Sequence, residues 1–469
     1  MDDQEEKDFN LDSVLETLGP YGRYNLLNYV LVLFPVLLSS FFTCGFIFEA
    51  QKQCESNNVT DWIQYAIPTN TETNKLESCV RYVSNSSQCE REDFTNVTEK
   101  CSRFVYENRE SLVKEFDLGC QEWKRVLVGT VHNFGMFVTM LFTGAISDRF
   151  GRRVAVGMAA TTSFIFGISR AFSKDYITYV VLHFVEAALG GGLYQSGYVF
   201  GCSTTFVTGV VLLALLAWAV DNWRTYIIVL YTPALIVTIY VWFMKESARW
   251  LISKGKTADA VKTLRGAAKI NNMDHTKLEL RALGKPLVKS EDKVERSEFS
   301  KAIRSSIIWK RLLMCSYLWL TCSLVYYGFS INAVSLSSNK YLSFILVALV
   351  EIPAYVVVVI VLNKYGRKRV MMVNYFVCAV TSFLFAFLPR CKCDYWSIPL
   401  YLVGKWCVTL TYSSVYIYVS EVFPTSMRQT LISFCSTAGK IGSLIAPLTP
   451  LLVCLKSFFR DRIRKGLKV

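Results

Sequence analysis

Long apolar stretches, separated by short polar segments, follow one another along this chain from residue 26 onward. Each is close to the ~20 residues that a helix needs to cross the hydrocarbon core of a bilayer. Because the backbone in lipid must satisfy its own hydrogen bonds, stretches of this length predict α-helices. The clearest are Leu26–Phe48, Val126–Ser147, Val154–Ala171, Tyr226–Met244, Leu312–Ile331, Tyr341–Leu362, Val370–Leu388 and Leu431–Leu455.

Two further apolar segments complete the predicted set of helices. The segment that starts at Tyr176 carries one charge, Glu186, and is barely long enough for two spans. It predicts a helix, a turn and a short helix, over Tyr176–Phe200, Gly201–Thr205 and Phe206–Val220. Ile398–Ser420 predicts another span. The pattern therefore indicates six helices, a loop and five more helices.

Twice, an apolar stretch ends in a short basic turn of the same design. The first turn runs from Gly144 to Arg153 and the second from Asn363 to Arg369. Their glycines, Gly151 and Gly366, are separated by 366 − 151 = 215 residues. A repeated unit of helix, basic turn and helix predicts two homologous bundles of membrane helices, an organisation typical of transporters.

Composition and charge agree with a membrane protein. The 469 residues are 52% apolar and 14% aromatic, with a mean hydropathy of +0.31, which is too apolar for a soluble chain. The segment Lys245–Arg311 holds 17 basic and 8 acidic residues, so the positive-inside rule places it, with both basic turns, in the cytoplasm. The net charge of +14 then reflects topology and predicts no nucleic-acid partner.

The amino terminus and the first loop set the expected orientation. The first 25 residues are acidic and do not resemble a cleavable signal peptide, so we expect them in the cytoplasm of a plasma-membrane protein. The predicted organisation is a cytoplasmic N-terminus (1–25), a first helix (26–48), an extracellular loop (49–125), helices two to six with a short fifth helix (126–244), a cytoplasmic loop (245–309), helices seven to eleven (310–455) and a basic tail (456–469).

The segment Glu49–Arg125 has the character of an extracellular loop. It holds three N-glycosylation sequons, at Asn58, Asn85 and Asn96. Its clustered cysteines predict disulfides in an oxidising compartment, although the sequence leaves their connectivity open. The loop has an odd number of them, so Cys44 is a candidate sixth partner and one free thiol is the alternative. The candidates are Cys44, Cys54, Cys79, Cys89, Cys101 and Cys120.

Several motifs together resemble the organic cation, anion and carnitine transporters of the major facilitator superfamily. The family's turn after the second helix is matched by Gly144, Asp148, Arg149, Gly151, Arg152 and Arg153, and its motif after the sixth helix by Glu246, Arg249 and Trp250. Its later motifs are matched by Tyr326–Ser330, Glu351–Tyr355, Glu421, Pro424, Thr425 and Arg428. The resemblance spans nearly the whole chain. It implies an all-α polytopic membrane protein with the major-facilitator-type two-bundle fold, about 11 of the usual 12 helices, and transport of organic ions by alternating access.

Two departures from the family pattern bear on activity. The family's charged turn between the fourth and fifth helices is absent from Phe200–Phe206, and no twelfth helix is evident after Leu455. Both are expected of an incomplete isoform or gene model. The alternative function is therefore that of a non-transporting truncated isoform or a regulatory membrane protein.

The basic turns are predicted to form a cytoplasmic gate. An aspartate and arginines at helix ends can pair across neighbouring helices and hold the gate shut until the bundles move. Simple positive-inside anchoring is the alternative, and it has more weight for the second turn, where Asn363 replaces the acid. The candidate gate residues are Gly144, Asp148, Arg149, Gly151, Arg152, Arg153, Glu246, Arg249, Gly366, Arg367, Lys368, Glu421 and Arg428.

Ionisable side chains near the bilayer midplane mark the predicted substrate site, because charge is expensive there. The candidates are Glu186, Lys405 and Lys440. At the position matched by Lys440, the family's cation carriers tend to have aspartate and its anion and carnitine carriers a basic residue. A buried ammonium attracts carboxylate, so the site favours organic anions or zwitterions. Lys440 could instead pair with Glu351 or Glu186, and Lys405 could act with Lys440 or snorkel to an interface.

Aromatic side chains are predicted to line the same cavity, where they could hold an ammonium group by cation–π attraction. The candidates are Tyr326, Tyr327, Phe329, Tyr355 and Tyr412, with ordinary helix packing as the alternative. Enzymatic chemistry has little support, since His132, His183 and His275 lack metal-ligand spacing. We therefore predict no catalysis, metal or cofactor. The expected partners are a small organic ion and the lipid bilayer, with the oligomeric state open.

Overall fold

The computed structural model describes residues 22–49, 67–69, 79–84, 94–101, 110–191, 199–241, 244–273, 305–336, 339–387, 394–423 and 428–449. Seven helices are long and apolar enough to cross a membrane, and three shorter apolar helices accompany them. The helix Asp394–Val422 has 29 residues and packs against the helices that precede and follow it in the chain. The predicted all-α polytopic fold is confirmed.

The chain begins its described part with a membrane helix followed by a small polar layer. Helix α1 (Arg23–Cys44) passes through Gly45 into a final turn, α2 (Phe46–Glu49). Strands β1 (Val80–Ser84) and β2 (Phe94–Lys100) form an antiparallel pair with an irregularity after Tyr82. The short helix α3 (Leu112–Glu115) then leads to the second membrane helix. We call this side of the molecule the hairpin end.

The remaining helices of the first bundle run between the hairpin end and an opposite end that carries the basic turns. They are α4 (Glu122–Phe150), α5 (Arg152–Ala171), α6 (Tyr176–Gly190), α7 (Val199–Ala219), α8 (Trp223–Tyr231) and α9 (Pro233–Val241). Two amphipathic helices follow beyond the basic-turn end, α10 (Ala248–Ser253) and α11 (Thr257–Ile270). α4 and α5 both pack on α6, and α1 packs on α7.

The second bundle repeats this plan and contacts the first along two seams. Its helices are α12 (Ser306–Asn332), α13 (Lys340–Leu349), α14 (Glu351–Tyr365), α15 (Arg367–Phe387), α16 (Asp394–Val422) and α17 (Arg428–Ile445), with 3-10 turns at Ala333–Ser335 and Ala446–Leu448. Between the bundles, α7 packs on α13 and α4 packs on α17. Large apolar side chains such as Phe142, Met314 and Phe376 are more than half exposed, as expected of surfaces that face lipid.

The two basic turns have the same backbone geometry. Gly151 joins α4 to α5 with φ 102° and ψ 157°, and Gly366 joins α14 to α15 with φ 79° and ψ 153°. Both lie in a region that only glycine enters readily. Each turn is therefore a single-glycine reversal between two membrane helices, and this supports the internal repeat seen in the sequence.

The boundary between the fourth and fifth membrane helices differs from the prediction. The predicted turn at Gly201–Thr205 is wrong, because these residues lie within α7, which has 21 residues. The shorter helix is α6, with 15 residues, which ends at the glycines that start at Gly190. Within apolar surroundings the backbone gains most from helical hydrogen bonds, and the α7 hydroxyl of Thr208 donates to Thr204 O at 2.9 Å. The composition of Gly201–Thr205 therefore suggested a turn where the chain forms a continuous helix.

One disulfide lies at the hairpin end. Cys79 and Cys120 are linked, which ties the start of β1 to the residues before α4. Cys44 is a buried free thiol inside α1, so its predicted role as a sixth partner is wrong. Cys101 is also free. Cys54, Cys89, Asn58 and Asn85 lie outside the described residues, and Asn96 lies in β2.

Candidate functional site

A buried ion pair stands at the centre of the second bundle. The Lys405 ammonium on α16 lies 2.9 Å from Glu351 Oε1 on α14, and both side chains are almost fully buried. Lys405 also donates to Ser330 Oγ at 2.8 Å and lies 3.5 Å from the centre of the Tyr326 ring. Lys405 is therefore neutralised inside the bundle. The alternative in which it snorkels to an interface is wrong.

Tyrosines complete the coordination of the same carboxylate. Tyr326 donates to Glu351 Oε2 at 2.8 Å and Tyr355 donates to it at 3.2 Å. The Tyr326 ring also contacts those of Tyr327 and Tyr412, with centroids 5.4 and 5.2 Å away. Two of the five predicted aromatic residues thus bind the carboxylate, and two more pack against the Tyr326 ring. A carboxylate with this many partners is held rigidly, which suits a binding site that must discriminate by charge.

A small cavity adjoins this cluster between the two bundles. Tyr326, Tyr327 and Glu351 line it from the second bundle, and Cys44 and Phe206 line it from the first. Its wall is mainly aromatic and aliphatic, with a few polar atoms, as is usual for small-molecule sites. Phe329 does not line it. Its ring packs against Tyr401, with centroids 4.7 Å apart, so the packing alternative holds for this residue.

Lys440 differs from Lys405 in having no carboxylate partner. It lies in α17, the helix that packs on both α12 and α4. Within the described part of the chain no acidic oxygen lies within salt-bridge distance of its ammonium, since Glu351 pairs with Lys405. The internal pairing that the sequence left open for Lys440 is therefore not present there. Its side chain is half-buried and does not line the cavity described above.

Glu186 lies in a different place from the other predicted substrate residues. Its Oε2 atom is 4.0 Å from His132 Nδ1 in the interior of the first bundle. His132 Nδ1 is in turn 2.9 Å from His183 Nε2. This cluster could not be predicted from the sequence, because the packing of α4 on α6 brings together His132 and His183, which are 51 positions apart. The histidines lack metal-ligand spacing along the sequence, as predicted, but the fold brings His132 and His183 together.

A second buried ion pair, which the sequence analysis missed, borders this cluster. Arg170 Nη2 lies 2.9 Å from Glu49 Oε1, and both side chains are at most 1% exposed. Tyr179 donates a short hydrogen bond to Glu49, and Arg170 donates to the Tyr231 hydroxyl at 3.3 Å. Arg170 falls within the apolar stretch Val154–Ala171 and Glu49 at the border of the predicted loop. Arg170 and Glu49 could have been singled out in the sequence, because each is a charged residue near the end of an apolar stretch.

The first basic turn is held by Glu246. This carboxylate accepts hydrogen bonds from the backbone N–H groups of Arg152 (3.1 Å to Oε1) and Arg153 (3.1 Å to Oε2) at the start of α5. An anion at a helix N-terminus satisfies free N–H groups and complements the helix dipole. Arg153 also donates from Nε to Val241 O at 2.9 Å. Arg149 is exposed at the end of α4, and the side chains of Gly144 and Asp148 lie outside the described residues.

The second basic turn is held by a carboxylate from another helix. Arg367 at the start of α15 lies 2.9 Å from Glu421 Oε1 at the end of α16. This pair is partly exposed, so its contribution to stability is small. Lys368 is exposed, Arg249 lies in α10, and the Arg428 side chain is outside the described residues. Both turns are thus joined by a glutamate to a neighbouring segment of their own bundle.

The two bundles are closed against each other at the hairpin end. The Phe48 ring lies 4.9 Å from Phe344 and 5.8 Å from Tyr341. Trp218 stacks on Tyr341 with centroids 5.9 Å apart. Phe48 and Trp218 belong to the first bundle, whereas Tyr341 and Phe344 belong to α13. These aromatic contacts pack the two bundles against each other at this end of the molecule.

Comparisons with known proteins identify the architecture. The family model described as Sugar (and other) transporter matches residues 187–455. Solute carrier family 22 member 16 of Bos taurus is 27% identical, covering 94% of this chain and 86% of its own length. Solute carrier family 22 member 6-A of Xenopus laevis gives the same three figures. The organic cation transporter-like protein of Drosophila melanogaster is 26% identical over 94% of this chain and 87% of its own.

Solved structures give the same fold at lower identity. A D-xylose–proton symporter has a TM-score of 0.57 at 13% identity, covering 91% of this chain and 90% of that one. The partially occluded, inward-open xylose transporter XylE of E. coli has a TM-score of 0.55 at 14% identity, covering 90% and 91%. Two repeated bundles of this form define a membrane transporter of the major-facilitator type. The chain belongs to the Sugar (and other) transporter family, and within it to the organic cation and anion transporters that its motifs resemble.

Proposed function

We propose that this protein carries small organic anions, or zwitterions with a carboxylate such as carnitine, across the plasma membrane by alternating access. The relatives it matches are named as solute carriers and as organic cation transporters, which supports an organic ion as cargo. These names mention either cations or no charge at all, so the sign of the charge must be argued from this chain's own side chains.

The observation that carries the proposal is the unequal pairing of two lysines. In the described helices of the second bundle, Glu351 neutralises Lys405 and leaves Lys440 with a net positive charge. A cation near this cluster must compete with Lys405 for Glu351. An anion, in contrast, can bind the Lys440 ammonium without displacing a carboxylate. In a medium of low dielectric constant this difference is large, so it sets the preference for charge.

The aromatic wall of the cavity supports the zwitterionic variant of the proposal. Tyr326 and Tyr327 line the same space that Glu351 borders. Aromatic rings attract an ammonium group, as the contact of Lys405 with the Tyr326 ring shows, while an ammonium side chain attracts the carboxylate of the same molecule. A substrate such as carnitine would span these two features, with its carboxylate toward α17 and its quaternary ammonium toward the tyrosines.

The ends of the bundles take opposite roles in this proposal. Basic turns and the segment that follows α9 are assigned to the cytoplasm, and the hairpin end to the outside, where the disulfide and glycosylation would form. The Glu246 and Glu421 contacts fasten the cytoplasmic gate residues within each bundle. The aromatic contacts of Phe48 and Trp218 then close the outer side between the bundles.

Uptake by cells that express the protein tests the proposed charge preference. We expect accumulation of a labelled aryl carboxylate or of carnitine in preference to tetraethylammonium. Lys440→Asp is expected to reverse this order, because it replaces an ammonium with a carboxylate at the same place. Lys440→Arg keeps the charge and serves as the matched control, so it should preserve the order.

Surface expression of every variant must be measured in the same cells. Equal uptake of both classes of ion would contradict the assignment of Lys440. An absence of uptake by wild-type protein that reaches the surface would favour the alternative function, a non-transporting or regulatory membrane protein.

A further inference from the structure

Three potential metal ligands converge inside the first bundle, away from the cavity between the bundles. His132 on α4 and His183 and Glu186 on α6 each offer one atom, and these atoms lie within 4.8 Å of one another. His183 and Glu186 are three residues apart on a helix and so share one face. All three side chains are about 1% exposed, which means that the group is completely enclosed by the protein.

The facing histidine nitrogens have a separation that one metal ion can bridge. His132 Nδ1 and His183 Nε2 are 2.9 Å apart. Two nitrogens at about 2.05 Å from one zinc ion, separated by this distance, subtend an angle of about 90°, and a few tenths of an ångström more gives the tetrahedral value. Glu186 Oε2 lies 4.0 Å from His132 Nδ1, within a small side-chain rotation of the same position.

The polar atoms of this cluster are incompletely paired. Among the described residues, His132 Nε2, His183 Nδ1 and Glu186 Oε2 are buried and have no hydrogen-bond partner. A hydrogen bond between the two neutral histidines uses one N–H and one lone pair, whichever tautomers are present. Glu186 is hydrogen-bonded to Tyr231, but its Oε2 atom has no hydrogen-bond partner among the described residues, and a buried carboxylate oxygen without one is costly. The cluster therefore has the composition of a cation site.

The surroundings also resemble the outer shell of a metal site. His183 Nδ1, the nitrogen that points away from His132, lies 4.0 Å from Glu49 Oε2. A metal-bound histidine usually directs its other N–H to a carboxylate, which fixes the tautomer and strengthens the ligand. Arg170 and Tyr179 hold Glu49 in place. The charges of Arg170 and Glu49 offset each other, so Glu186 remains to balance an incoming cation.

We propose that His132, His183 and Glu186 bind one divalent transition-metal ion of the zinc type. Imidazole and carboxylate ligands suit such ions better than they suit magnesium or calcium, which prefer oxygen ligands alone. The ion fastens α4 to α6 within the first bundle and so makes that bundle more rigid. This site is separate from the cavity at Glu351, because none of its three ligands lines that cavity.

A small pocket at the hairpin end is lined by Glu49, together with Asp221 and Lys340. Glu49 is the residue that faces His183. A hydrated cation that enters this pocket would therefore meet a carboxylate before it reaches the histidines.

Cobalt and zinc binding to the purified full-length protein tests the site directly. The protein should carry no histidine tag, and its free thiols should be alkylated so that cysteines cannot bind the probe. After chelator treatment, one equivalent of Co²⁺ is expected to give visible absorption bands of nitrogen- and oxygen-ligated cobalt. Added Zn²⁺ should displace the bands. His132→Ala, His183→Ala and Glu186→Gln should each weaken binding by more than about tenfold, and Glu49→Gln by about 10- to 100-fold.

His275→Ala is the matched control, since His275 is the third histidine of the chain and lies outside the described residues. It should bind the probe like the wild type. Glu186→Gln keeps the size of the side chain and leaves the buried Glu49–Arg170 ion pair intact, so weakened binding by this variant supports the site even if a histidine variant misfolds. Binding that is equal in all variants would overturn the proposal. So would a folded wild type that binds no metal, or one whose thermal stability responds to pH and not to Zn²⁺, because a proton would then satisfy the cluster.

Discussion

Arg224, at the first turn of α8, shows how a charged residue at the end of a membrane segment stabilises the hairpin end. It donates to the Glu115 carboxylate on α3, and Trp223 Nε1 donates to Glu115 Oε2 at 2.7 Å. Its guanidinium also donates to Ser173 O at 2.9 Å, at the connection between α5 and α6. The hydrogen bond from Arg224 lowers the pKa of Glu115 below its ordinary value of 4.5. Arg224 thus joins α3, α8 and the connection between α5 and α6.

Glu115→Gln is expected to lower the thermal stability of the protein near neutral pH and to have little effect in acid. The folded-state pKa of Glu115 is lowered, so its stabilising effect is fully present above the unfolded value near 4.5 and disappears as the pH falls through the folded value. Unfolding of wild type and variant in detergent between pH 7 and pH 3 measures this difference. The carboxylate is partly exposed, so the shift should be small. An equal difference at both pH values would contradict the assignment.

Buried charges require more caution than exposed ones when they are used as probes. Removing one partner of the pairs Glu49–Arg170 or Glu351–Lys405 leaves an uncompensated buried charge, which typically costs about 3–5 kcal/mol. Loss of transport in such a variant would not separate binding from folding. Lys440 is a better probe of substrate charge because no ion pair in the described part of the chain is broken when it is changed.

At the scale of elements, the basic turns combine a special backbone with a side-chain cap. Gly151 and Gly366 share the same positive φ, but their surroundings differ. A Cβ atom at Gly151 would clash with the Glu246 carboxylate that caps α5, whereas a Cβ at Gly366 would meet open space. The two sites therefore separate backbone strain from the loss of a contact.

Gly151→Ala is expected to be more harmful than Gly366→Ala. Both substitutions force alanine into a strained backbone region, at about 1–3 kcal/mol each. Only Gly151→Ala also displaces Glu246 from the N-terminus of α5, which adds about 1 kcal/mol. Thermal unfolding of both variants in the same detergent measures the difference, and uptake shows whether the gate is affected. Equal destabilisation would show that the Glu246 cap contributes nothing.

The sequence predicts the elements well where apolar length alone decides. The membrane helices were found because lipid requires about twenty apolar residues, and both glycine turns were found because the motif repeats. The boundary at Gly201–Thr205 was missed because side-chain polarity suggested a turn, while the surroundings favour a continuous helix α7. The cap formed by Glu246 could be located only by motif, since its partners lie 93 and 94 positions earlier.

At the scale of the whole molecule, the packing between bundles is aromatic at the hairpin end. Trp218 of α7 stacks on Tyr341 of α13, and Phe48 packs on Phe344. The sequence predicted two bundles but could not give this contact, which depends on how they meet. It also could not give the cluster of His132 and His183, because their proximity arises from the packing of α4 on α6. The alternating-access proposal requires the aromatic contact to open.

A disulfide between Trp218→Cys and Tyr341→Cys is expected to abolish uptake. Oxidation of the double variant would lock the bundles together at the hairpin end, and a reductant should restore transport. Each single variant under the same treatment is the control for oxidation of native thiols, and wild type controls for reduction of Cys79–Cys120. Undiminished uptake by fully cross-linked protein would mean that the bundles do not separate at these residues.

The glutamates that hold the basic turns come from different places in the two halves. The first half uses Glu246, which follows the last helix of its bundle, whereas the second uses Glu421, which ends the fourth helix of its own. A substitution at one of these glutamates therefore removes a contact from one half and leaves the contact of the other half intact. The two halves of the gate can thus be adjusted separately, and chimaeras that exchange them should not be equivalent.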